Sequence, residues 1–294
     1  MVKQRKRITV LVICLAVVLV GLCAFVVFLR MGFGREETPS NAETGTSAAT
    51  SLKTTGQTTA VTETVPEPTE SPIPLNRFDE DDFAYEEEYL ACLSEWYLRG
   101  IDVSKYQETV DWQQVKGAGF SFAMIRAGGR GYGKEGKLFA DDYADSNYHG
   151  AKEAGLMVGA YFFSQATNVE EAIEEAQYVL DLTKDWDLDL PIVFDWEYLG
   201  DYARTANVKD RMLTDCAIAF CEEIEAAGRK SMIYVSPWFG KYILEDLTEY
   251  SQWLALYKSN MTYRYHFDMW QYTCTGSVPG VKGNVDINIL LRTY

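Results

Sequence analysis

Asp195 and Glu197 are the residues whose type and spacing point first to chemistry. They close the run Leu190-Pro-Ile-Val-Phe-Asp-Trp-Glu-Tyr198. A short continuous apolar run reads as a strand buried on both faces. Strand side chains alternate, so acids at i and i+2 project to one side and Trp196 to the other. Two carboxyls on one side of a strand end suit general acid–base work.

The elements around this strand follow a regular pattern. Gly100-Ile-Asp-Val-Ser104 reads as a first strand, and Val110 to Lys116 as a short helix. Phe120 to Ala127 is a second strand, and Asp142 to Ala154 a helix stopped by Gly155. Leu156 to Ser164 is a third strand. Asn168, with Glu171 three residues on, opens a helix to Leu182 in a near capping box. After the Leu190–Glu197 strand come a helix over Val208 to Ala227 and a fifth strand over Lys230 to Ser236.

Alternating strands and helices imply βαβ units and a parallel sheet. Gln252 to Tyr257, Asp268 to Thr273 and Asp286 to Leu291 then read as strands without room between them for crossover helices. The expected fold class is α/β, an incomplete TIM-like barrel of about five βα units followed by about three strands. Such barrels gather reactive groups at the C-terminal strand ends. Asp102, Asp195, Glu197 and the segment Tyr161 to Ser164 all fall at such ends.

Composition narrows the partners. A formal net charge of -16 argues against nucleic acid, which needs a basic surface. His149 and His266 are isolated, and Cys92, Cys216, Cys221 and Cys274 lack metal-ligand spacing, so no metal is expected. Cys216 and Cys221 read as buried thiols. Gly128-Gly-Arg-Gly131 lacks the Lys-Ser/Thr of a phosphate loop and reads as a mobile βα loop at a cleft rim. No cofactor is implied.

Five segments are expected. Residues 1–7 form a basic cytoplasmic tail, with Lys3, Arg5, Lys6 and Arg7. Residues 8–29 are an apolar run long enough to span a bilayer as a helix. The heavier basic flank stays inside, so the run reads as a single-pass membrane anchor with the rest of the chain outside; the rival is a cleaved signal peptide, for which no A-x-A-like site follows the run. Residues 30–75, rich in Thr, Ser and Pro, read as a disordered linker. Residues 76–98 are an acidic lead-in, expected as a short amphipathic helix from the spacing of Leu90, Leu93 and Trp96. Residues 99–294 are expected as the barrel domain that carries the candidate catalytic acids.

A set of motifs in order then resembles glycoside hydrolase family 25, the Chalaropsis-type lysozymes. It comprises Gly100-Ile-Asp-Val-Ser104 with Gln107 and Asp111-Trp112, Ile125-Arg-Ala127, Gly159-Ala-Tyr-Phe-Phe163 and Phe194-Asp-Trp-Glu197. It continues with Ile233-Tyr234 and Trp238, Met269-Trp-Gln-Tyr272, and Val285-Asp-Ile-Asn288. The resemblance implies an endo-acting muramidase whose partner is the glycan strand of peptidoglycan, cut at the β-1,4 bond after N-acetylmuramic acid. It implies Glu197 as general acid, and Asp195 as a charge stabiliser or an aid to the substrate's acetamido group. Asp102 and Asp286 are implied as further active-site acids. Tyr161, Trp270, Tyr272, Gln271 and Tyr234 are implied to line the sugar cleft, and Arg126 to support the carboxyls. The alternatives are a wall-binding module with decayed catalysis and a hydrolase of another glycan on the same fold.

Overall fold

The computed structural model describes residues 73–237, 244–258 and 260–294. The tail, the apolar run 8–29, nearly all of the linker and Trp238 lie outside these. Among the described residues no helix is long and apolar enough to cross a membrane.

The strands are β1 (Phe83–Glu86), β2 (Tyr89–Cys92), β3 (Leu98–Val103), β4 (Phe122–Arg130), β5 (Leu138–Ala140), β6 (Met157–Ser164), β7 (Ile192–Trp196), β8 (Ser231–Val235), β9 (Ser251–Ala255), β10 (Met269–Gly276) and β11 (Val285–Leu290). The helices are α1 (Trp112–Gly117), α2 (Ala144–Glu153), α3 (Val169–Leu182) and α4 (Asp210–Ala226). One sheet runs β3-β11-β10-β9-β8-β7-β6-β4-β5, and β3 also pairs with β4, so eight strands close into a barrel with β5 as an added edge. The expected TIM-like barrel is therefore present. Neighbours from β3 round to β10 run parallel, while β11 is antiparallel to both β10 and β3. Between β8 and β9 the described residues hold a 3-10 turn, Leu244–Leu247.

Strand alternation sorts the side chains into two cores. Phe122, Met124, Leu190, Val193, Met232, Trp253, Met269 and Leu290 fill the barrel interior. Residues of opposite parity, such as Ile101, Ile125, Phe162, Phe194 and Ile289, join the outer core beneath the helices. From α4 that core receives Leu213, Ala217, Phe220, Cys221 and Ile224 on one apolar face. Cys216 and Cys221 are buried free thiols. α2 and α4 end at Gly155 and Gly228, both at φ +75°, the left-handed stop that glycine adopts without a Cβ clash.

Three local expectations are corrected. The lead-in is a 3-10 turn, Glu80–Asp82, followed by the β1–β2 hairpin, not an amphipathic helix. Glu87 makes the turn at positive φ, between two other glutamates whose like charges gain nothing from a helix. The hairpin leans on the barrel's outer side: Phe83 meets Trp270 edge-on at 4.9 Å, and Tyr89 meets Phe120 at 5.1 Å. Second, ordered pairing starts within the expected linker, where Leu75 bridges Tyr265 and Pro74 accepts from the His266 N–H. Third, Gly128 and Gly129 belong to β4, paired with Ala140 and Phe139 of β5, and are not a loop. A Cβ on Gly128 would strike the Phe139 carbonyl, so glycine is what lets the two strands approach.

Candidate active site

The inward positions at one end of the barrel are polar. β3 brings Asp102, β4 Arg126, β6 Tyr161, β7 Asp195, β8 Tyr234 and β10 Gln271, and all of them line one cleft. Glu197 lies just past β7, on the same side as Asp195, while Trp196 is buried in the outer core. Asp286 joins from the start of β11. Because β11 is antiparallel, its first residues lie at the end where its neighbours finish, and Asp286 pairs in register with Asp102.

Asp102 is the best-supported acid. Its Oδ2 accepts from Gln271 Nε2 at 2.7 Å and from Asn288 Nδ2 at 2.8 Å. The orientation of each amide is set from behind. Gln271 Oε1 accepts the Tyr234 and Tyr257 hydroxyls at 2.7 and 2.9 Å. Asn288 Oδ1 accepts the Trp253 indole N–H, a group that can only donate, at 2.8 Å. Both amides therefore turn N–H groups to Asp102 and favour its ionised form.

The four carboxyls are held above the ordinary range, to different degrees. Burial raises Asp102, and the two amides pull it back, leaving it at about 6. Burial, then the charges of Asp102 and Glu197, push Asp286 up to about 8. Burial, then Glu197 and Asp102, carry Asp195 well above the carboxylate range. Glu197 opens to solvent at the cleft mouth, but its carboxyl is crowded by protein. That burial, followed by the charge of Asp102, raises it too. Asp195 Oδ1 is buried and, among the described residues, has no hydrogen-bond partner. The arrangement offers one ionised acid, proton-bearing acids beside it, and a buried oxygen free to take a substrate N–H or O–H.

Arg126 lines the cleft, but its ion pair is with Asp141, through Nε at 2.8 Å and Nη2 at 2.6 Å. Its guanidinium also lies 5.3 Å from the ring of Tyr106. Its support of the carboxyls is the field of a nearby cation, which lowers Asp195 against the larger effects of burial and like charge.

Trp270 and Tyr272 are not brought to the cleft. They flank Gln271 on the outward face of β10. Trp270 donates to the Leu256 carbonyl at 2.9 Å, and the Tyr272 hydroxyl accepts from the Leu90 N–H of the hairpin at 3.3 Å. Sequence reasoning also missed residues. Tyr257 and Trp253 share inward parity along and beyond β9, and Asn288 shares it with Asp286. Ser104, Tyr106, Gln107 and Phe163 also line the cleft. Among the described residues no group of three or more His, Cys, Asp or Glu is set to hold a metal ion.

A closed α/β barrel with four interacting carboxyls at one mouth has the kind of acid cluster that glycoside cleavage uses. The family model for glycosyl hydrolases family 25 matches residues 101–281, and the chain belongs to that family. It is a glycoside hydrolase. It is 29% identical over 210 residues to Lysozyme M1 of Streptomyces globisporus, covering 65% of this chain and 67% of that one. The solved structure of the bacterial lysozyme from Streptomyces coelicolor superposes with a TM-score of 0.54 at 26% identity, over 67% of this chain and 93% of that one. The modular autolysin LytC of Streptococcus pneumoniae shares the fold, with a TM-score of 0.56 at 22% identity. The match covers 66% of this chain and 46% of LytC.

Proposed function

We propose that the chain is a membrane-anchored muramidase that cuts the β-1,4 bond between N-acetylmuramic acid and N-acetylglucosamine in peptidoglycan. The observation that carries this reading is the convergence of Asp102, Asp195, Glu197 and Asp286 at one mouth, in a family whose members include lysozymes. Glu197 acts as general acid. It is the acid open to the mouth, and its raised pKa keeps the proton that the leaving oxygen needs when the glycosidic C–O bond breaks. Asp195 works at the sugar ring. Its unbonded Oδ1 suits the acetamido N–H, which would aim the amide oxygen at the anomeric carbon, the substrate-assisted exception to the two-carboxylate scheme. Asp102 supplies negative charge beside both.

The anchor rests on the apolar run 8–29 and the basic residues before it. It places the catalytic domain outside the membrane, where its substrate is. Protease applied to intact cells should release the barrel and leave the N-terminal segment in the membrane fraction.

The function is tested by digesting purified peptidoglycan with the full chain and identifying new reducing ends. New muramic acid ends support the proposal, and new glucosamine ends remove it. Binding without cleavage at any pH favours the decayed wall-binding module.

A further inference from the structure

Glu197 sits where the barrel's own hydrogen bonding stops. The last register pair between β6 and β7 is Ser164 with Trp196, so the next rung would join Gln165 to Glu197. That rung is made by a side chain. Gln165, fully buried, donates from Nε2 to the Glu197 carbonyl at 3.2 Å and to the Ser164 carbonyl at 2.9 Å. Its Oε1 accepts the Thr205 hydroxyl at 3.0 Å. Carbonyl oxygens only accept, so the amide has one orientation that satisfies all three contacts.

The backbone of Gln165 is held as firmly. Its N–H goes to Glu175 Oε1 at 3.2 Å, and its carbonyl accepts from Arg204 Nη1 at 2.8 Å. Glu175 is buried on α3 and takes Arg130 Nε at 2.7 Å and Ser164 Oγ at 2.5 Å. Arg204 pairs with Glu171 of α3 at 2.5 Å and donates its own N–H to the Tyr132 carbonyl at 3.0 Å. Gln165 thus joins β6, α3 and the β7–α4 connection at the peptide of Glu197.

We propose that Gln165 is a positioning residue for the general acid: its side-chain amide, locked by Thr205, fixes the Glu197 peptide and so the aim of the Glu197 carboxyl. This rests on reading Glu197 as the acid. Acid catalysis requires hydrogen-bond geometry at the leaving oxygen, and an error of 1 Å there can cost about 100-fold. A ladder that ends one residue short of the acid leaves that geometry to Gln165.

The test compares two substrates with the full chain. One is the natural glycan. The other is an aryl glycoside whose low-pKa phenolate departs without a proton. Gln165→Met keeps length and removes both donors. On the glycan, kcat should fall about tenfold or more while KM stays within about twofold. On the aryl glycoside the loss should largely vanish. Thr205→Val should show the same selective loss, and Thr205→Ser, which keeps the hydroxyl, should restore turnover. Equal losses on both substrates, or none on either, overturn the proposal. If Gln165→Met does not fold by thermal melt, the Thr205 pair decides on the same criteria. Glu197→Gln is run alongside. Full glycan turnover in that variant removes the acid assignment itself. Its inactivity beside unaffected Gln165 and Thr205 variants removes only the role of Gln165.

Discussion

Asp102 and Asp286 face each other in register across the β3–β11 ladder, the seam where the last strand of the barrel meets the first. Directly opposed residues on one face of an antiparallel pair are close neighbours, and like charges there repel. The fold resolves the conflict by giving donors to one partner. Asp102 receives Gln271 and Asn288, while for Asp286 only a backbone contact of its own opposes the upward shift. Asp102 therefore ionises near 6 and Asp286 near 8.

That order has a consequence for stability. Asp286 has a folded pKa of about 8 against an ordinary value of 3.8, so the folded chain holds a proton that the unfolded chain has lost between those limits. The stabilisation is present below pH 4 and drains away as pH rises through 8. Asp286→Asn cannot ionise. Its melting temperature should match wild type near pH 4 and exceed it at pH 8. Thermal melts across that range check this, and a shift of the same size at every pH would remove the pair as its source.

Asp102 also acts on Glu197, the proposed general acid. Burial is the first cause of the raised Glu197 pKa, and the Asp102 charge is the second. Asp102→Asn should lower the Glu197 pKa, so that the alkaline limb of the kcat profile moves to lower pH. Residual turnover in the variant suffices to locate the limb. An unmoved limb would mean that the two groups are not electrically linked, or that the limb belongs to another residue.

Much of this was legible in the sequence, and the misses share a cause. The four acids were visible because each falls at the mouth-end of an apolar strand. Trp270 and Tyr272, judged by residue type, look like sugar platforms. Judged by parity they face away, because Met269 fills the barrel and Gln271 follows it inward. The same parity finds Tyr257 from Trp253, and Asn288 from Asp286. The lead-in hairpin was not legible. Leu90, Leu93 and Trp96 keep a helical spacing, but the partners that draw Phe83 and Leu90 into pairing, Trp270 and Tyr272, are far along the chain. Gly128 and Gly129 misled for a related reason, since their use depends on where Phe139 crosses.

The outward face of β10 makes its own prediction. Phe83 packs edge-on against Trp270 and 5.4 Å from Phe78, in a cluster that seals the barrel's flank. Phe83→Ala should cost about 3 kcal/mol in denaturant unfolding, the cost of an emptied aromatic site. Because this cluster lies behind Gln271 and not in the cleft, kcat of the folded variant should hold near wild type. A selective loss of kcat or KM without loss of stability would return Trp270 to the substrate site.

In the proposed mechanism Asp195 decides how the sugar is attacked. Its Oδ1 is buried and unbonded among the described residues, and the charges of Glu197 and Asp102 raise its pKa further beyond what burial does. An acid so placed gains most from a substrate N–H that satisfies the oxygen and orients the acetamide toward the anomeric carbon. Attack by that amide oxygen inverts the carbon once, and water opening the cyclic intermediate inverts it again, so the first product should keep the β configuration. Proton NMR of fresh digests reads the anomer before mutarotation. A substrate N–H on Oδ1 favours the ionised form of Asp195, and Asp195→Asn retains a group of the same shape but loses the charge that then steadies the acetamide as its nitrogen becomes positive. It should lower kcat by about 100-fold or more with a smaller change in KM, because the charge matters only as the transition state forms. An α product would instead place an activated water on the opposite face, and Asp195 would then act as a general base rather than as a guide for the acetamide.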